Sequence, residues 1–85
     1  MDGEQIIVVW EGTQRIGYVE RFIHDILGIT KERNKAYHYS CFANLSFANE
    51  IKSILSNEYG IKGYNFTVER VLQNETKNND FKKCG

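Results

Sequence analysis

Residues 5 to 10, QIIVVW, set apolar side chains on both alternating rows, the pattern of a central strand with neighbours on each side. The turn EGT follows, with Gly12 as its glycine and Thr13 as a capping hydroxyl. Then Ile16, Val19, Phe22, Ile23, Ile26 and Leu27 recur at helical spacing, which predicts an amphipathic helix closed by Gly28. Arg15, Glu20, Arg21, His24 and Asp25 would form its solvated face.

From Ile29 the chain reads ITKERNKAYHYSCF, which predicts a short charged strand, a tight turn near Arg33, Asn34 and Lys35, and a longer strand returning. Ser46 then caps a second helix whose buried stripe would be Phe47, Ile51, Ile54, Leu55 and Tyr59, with Gly60 at its end. In GYNFTVERVL the residues Tyr64, Phe66 and Val68 alternate with Asn65, Thr67 and Glu69, as in a strand with one buried and one wet face. Residues 73 to 85 hold little apolar content and are expected to be a disordered polar tail, leaving residues 1 to 72 as a single domain.

The resulting order is βαββαβ. With right-handed crossovers it implies a compact ferredoxin-like α+β domain, a four-stranded antiparallel sheet in order 4-1-3-2 with both helices on one face. The opposite face would stay open for recognition.

Composition narrows the functions. Eleven basic and eleven acidic residues give a net charge of zero, so no long-range field gathers phosphate backbones or anionic lipid. At 85 residues the core is small, since such a chain hides only about 60% of its unfolded surface. IIVVW is too short for a membrane span and lacks the basic flank of a secretion signal, so a cytoplasmic location is expected. Cys41 and Cys84 are isolated, with no CxxC or Cys/His cluster, so neither metal nor cofactor is expected and both thiols should be reduced.

Two binding chemistries and one enzymatic chemistry remain. KAYHYSCF, residues 35 to 42, resembles the RNP1 signature of RNA-recognition motifs in its basic first residue, Lys35, and its aromatics Tyr37, Tyr39 and Phe42. The resemblance covers one strand and implies that Tyr37 and Tyr39 stack on bases of a single-stranded nucleic acid. That register turns His38 and Ser40 inward, at about 1–3 kcal/mol for each hydrogen bond left unmade. The opposite register, which buries Tyr37, Tyr39 and Cys41, is therefore favoured. The loop EGTQRIG with Arg15 would be the phosphate cradle of an acylphosphatase-like enzyme, but it lacks that family's glycine pattern, and Asn34 falls in a turn. No catalytic residue is assigned.

The leading expectation is a non-enzymatic protein-interaction or regulatory module, acting through its open sheet face or the edge of its last strand. Trp10, Val8, Thr67 and Glu69 would be the contact residues, and self-association is a variant of the same idea. Abundant Asn, Lys and Ile with no Pro fit a low-GC bacterial or phage genome, where short proteins often inhibit or modulate a host factor.

Overall fold

A computed structural model describes residues 3–43 and 45–71, so the tail assigned to 73–85 lies outside the described residues. The elements are β1 (Gly3–Glu11), β2 (Gln14–Ile23), β3 (Ile26–Thr30), a 3₁₀ turn (Arg33–Lys35), β4 (Tyr39–Phe42), β5 (Leu45–Ser46), α1 (Phe47–Tyr59), a second 3₁₀ turn (Gly60–Lys62) and β6 (Tyr64–Arg70). The ferredoxin-like α+β expectation is overturned: the described residues form a mostly β domain, a six-stranded antiparallel sheet with a single α-helix.

β1 organises the sheet. One edge pairs with β6 over its whole useful length, from Gln5 opposite Arg70 to Glu11 opposite Tyr64. The other edge is shared, with β2 along Val8 to Glu11 and β4 along Gly3 to Gln5. Both partners are antiparallel to β1, so β2 and β4 run parallel to each other and β4 enters where β2 leaves. Ile6, Ile7, Val8 and Val9 are each at most 1% exposed, as expected where both faces of a strand are covered.

The expected first helix is the β2–β3 hairpin, and the physical reason lies in two bulges. Register shifts place Val9 opposite Gly17 but Trp10 opposite Arg15, and Val19 opposite Ile29 but Arg21 opposite Gly28. Ile16 and Glu20 are the extra residues. Ile16, Val19 and Phe22 therefore reach the same core at a spacing of three, which imitates a helical stripe. The turn is made by His24 and Asp25 at φ 53° and 62°, left-handed values that Asp and His tolerate better than most residues. Gly12, at φ 65°, turns β1 into β2 where a helix start was expected.

α1 begins at Ser46, whose Oγ accepts from the Asn49 backbone N–H at 3.2 Å and donates to Gln5 Oε1. Its inward residues are Ala48, Ile51, Leu55 and Tyr59, which pack on Ile7, Val9, Val19 and Phe66. Phe47 and Ile54 belong to the expected stripe but are exposed.

The face opposite α1 is not open. Ala36 and Val71 join Ile6, Val8 and Tyr18 in a second cluster, with Trp10 at its margin. Arg33 pins the first 3₁₀ turn across this face, its Nη1 donating to Glu69 Oε1 at 2.7 Å while its guanidinium lies 5.9 Å from the Tyr18 ring centre. A partly exposed ion pair of this kind contributes up to about 1 kcal/mol. Its larger effect is to hold chain over Ile6 and Val8.

Cys41 is 1% exposed and disulfide-bonded, which corrects the expectation of two reduced thiols. Cys84 lies outside the described residues. Among the described residues, no helix is long and apolar enough to cross a membrane, and no three His, Cys, Asp or Glu side chains gather to hold a metal ion.

Candidate functional site: a cleft between the β2–β3 arm and a tyrosine pair

The shared edge of β1 creates a gap. β2 pairs with β1 only as far as Tyr18, and beyond it the β2–β3 hairpin continues as an arm. Among the described residues, the segment leading into β4 is joined to this arm by the Tyr37 backbone N–H, which donates to the Val19 carbonyl at 2.9 Å. Past that bond the two chains separate around a cleft of about 350 Å³, lined by Glu20, Arg21, Phe22, Ile23, Tyr37 and Tyr39.

The walls differ in kind. On one side, β2 pairs with β3 through its outer edge, while the edge from Glu20 to Ile23 that faces the tyrosines has no backbone partner among the described residues. On the other side the rings of Tyr37 and Tyr39 meet at 4.7 Å with a 60° tilt. Tyr39 also packs against the α1 core. Tyr37 is 54% exposed, and Ile23 and Ile26, opposite each other at the arm's end, are 55% and 68% exposed. A cleft with an unpaired strand edge thus opens beside an exposed apolar patch, a combination that marks contact sites.

Burial, and secondarily the neighbouring Tyr37 phenol, push the pKa of Tyr39 up to about 12. Its hydroxyl is therefore a neutral hydrogen-bond donor at any physiological pH. The sign of the linkage follows: the folded value lies above the ordinary tyrosine value of 10.0, so the phenolate is favoured in the unfolded chain. The contribution of Tyr39 to stability is full below pH 10 and is lost as the pH rises from there to about 12. Spectrophotometric titration should show Tyr39 ionising late, and Tyr39→Phe should remove both that step and the matching part of the alkaline loss of stability. Persistence of either in the variant refutes the assignment.

The structure gathers the sequence-predicted residues into two places. Val8, Trp10, Thr67 and Glu69 share one side of the β1–β6 pair, but each is engaged inside the molecule or buried. Val8 is fully buried, the Trp10 indole N–H donates to Thr67 Oγ1 at 2.8 Å, and Glu69 holds Arg33. Lys35 is paired with Glu32 at 3.3 Å, away from its role as a phosphate contact. For the strand near residue 40, the register that buries Cys41 and half-buries Tyr39 is the one adopted, and His38 turns to Glu4 at 3.1 Å.

Sequence reading missed Glu20, Arg21, Phe22 and Ile23, because as helix residues they would have stood far from the tyrosines. The signals that could have found them are local: Gly17 inside the stretch, its β-branched and aromatic content, and the His24–Asp25 turn.

No family model, curated protein or solved structure matches the chain.

Proposed function

We propose that this chain is a non-enzymatic protein-interaction module that takes an extended peptide segment of a partner into the cleft by strand addition. The observation that carries the reading is the edge of β2 from Glu20 to Ile23, which has no backbone partner among the described residues and is set opposite Tyr37 and Tyr39. Main-chain hydrogen bonds to that edge supply affinity, and pockets beside alternate residues select side chains. Phe22 and the tyrosines suit an apolar or aromatic side chain, since such rings give large contact area at low entropic cost. The exposed Ile23 and Ile26 extend the contact toward the arm's tip.

Its role is then to modulate the partner rather than to transform a substrate, as a short bacterial or phage regulator would. Single-stranded nucleic acid is the competing ligand. Zero net charge, the Lys35–Glu32 pair and the tilted, half-buried Tyr39 weigh against it. The bonded state of Cys41 favours an oxidising compartment over the cytoplasmic location expected from the cysteine spacing.

Selection from a random peptide display library tests the proposal. Wild type should enrich proline-free apolar and aromatic peptides, and N-methylating alternate backbone amides of a selected peptide should weaken binding at least tenfold, as should Tyr37→Ala. Binding that survives both changes refutes strand addition at this cleft. Salt-sensitive binding to single-stranded oligonucleotides, lost in Tyr37→Ala, would replace it with the competing ligand.

A further inference from the structure

We infer that the segment this cleft takes is the C-terminal end of a partner protein, lying antiparallel along β2 with its terminal carboxylate beside Arg21 at the closed end. This rests on the strand-addition reading above and says which part of a partner fits.

The cleft has a blind end, where the bond from the Tyr37 N–H to the Val19 carbonyl joins its two walls. A strand added to β2 and continued in the plane of the sheet would run into that bond, so it finishes short of it. The usable edge is brief. At the two-residue turn of His24 and Asp25, the Ile23 carbonyl points toward the Ile26 N–H. Alternation turns the main-chain groups of Phe22 the other way, into the cleft. From Phe22 back to Val19 the edge measures about 10 Å, at roughly 3.3 Å per residue. A ligand bonded to Phe22 therefore has room for two or three further residues before its chain ends.

Direction and charge both select the carboxyl end. β2 and β4 are each antiparallel to β1, so both walls run away from the blind end. A ligand with its C-terminus there is antiparallel to both walls, whereas one with its N-terminus there would be parallel to both, the less stable pairing per residue. The lining is also richer in donors than in anions. Arg21 is exposed, stands opposite Gly28 in the β2–β3 ladder, and makes no ion pair among the described residues. The Tyr37 and Tyr39 hydroxyls have no hydrogen-bond partner among the described residues, and Tyr39 stays protonated. Glu20 is the single anionic side chain in the lining. A carboxylate held by a guanidinium and phenolic hydroxyls gains charge-assisted hydrogen bonds, which are stronger than neutral ones.

Random peptides displayed with free carboxyl ends supply the probe. One selected peptide is made as the free acid, as the C-terminal amide, and with a Gly-Ser-Gly extension, and each is titrated by fluorescence anisotropy. The amide and the extended form should bind at least tenfold more weakly than the free acid, the loss expected for a charged hydrogen bond. In Arg21→Gln, an exposed substitution, the ratio of free-acid to amide affinity should fall toward one. Equal binding of the three forms overturns the inference and leaves strand addition standing, with an internal segment as ligand. A ratio unchanged in Arg21→Gln, or binding that tolerates the amide and is lost on N-terminal acetylation, also overturns it. Enrichment of no peptide would overturn both readings.

Discussion

Leu55→Ala is expected to lower the free energy of unfolding by about 3 kcal/mol or more, because it removes a fully buried side chain from the only helix among the described residues. Leu55 packs with Ala48 on Ile7, Val9, Val19 and Phe66, a core shared by three strands. The surrounding sheet is fixed by its ladders, so the cavity left behind does not collapse easily. A domain of this size holds roughly 4–13 kcal/mol in total, and the variant should lose a large part of it. Ile54→Ala is the matched control. Ile54 is 43% exposed, and its loss should change stability by no more than about 0.5 kcal/mol. Urea titration of the two variants reads the difference, and similar costs for both would mean that the helix is rotated from the orientation described above.

Gly17→Ala is expected to cost about 2–3 kcal/mol and to open the β2–β3 arm. A Cβ at Gly17 would lie 2.7 Å from the Thr30 carbonyl oxygen and 2.8 Å from Ile29 Cγ2. Because the first of these is backbone in the paired strand, the methyl cannot be accommodated by a side-chain rotation, and β2 and β3 must part. Amide hydrogen exchange should quicken in β3 before it quickens in β6. Gly28→Ala offers the contrast, since its Cβ would meet nothing nearer than Arg21 Cβ at 3.6 Å, an ordinary contact. Equal costs at the two glycines would contradict the close approach at Gly17. The arm forms one wall of the cleft, so Gly17→Ala should also weaken any ligand held there.

Local chemistry made part of the architecture legible. Doubly apolar IIVVW marked a strand with neighbours on each side, Ser46 and Gly60 marked the ends of the helix, and the alternation from Tyr64 to Val68 marked β6. Each signal involves only residues close in sequence. Two periodicities misled for a definite reason: bulges at Ile16 and Glu20 change the strand period from two to three, and apolar positions three apart are also what a helix requires.

The remaining features depend on partners distant along the chain. Whether the second face of β1 is open rests on Arg33 finding Glu69, 36 positions away, and no local pattern encodes that pairing. The cleft exists because β4 takes the stretch of the β1 edge that β2 would otherwise occupy, a competition between strands separated by the whole of β3 and a 3₁₀ turn. What the sequence determined by itself was the extent of β1, α1 and β6 and that β1 is a central strand, since side-chain size and backbone preference act locally. Which edges remain unpaired, and which tyrosines stand before them, was decided only when strands far apart in the chain competed for the same row of hydrogen bonds.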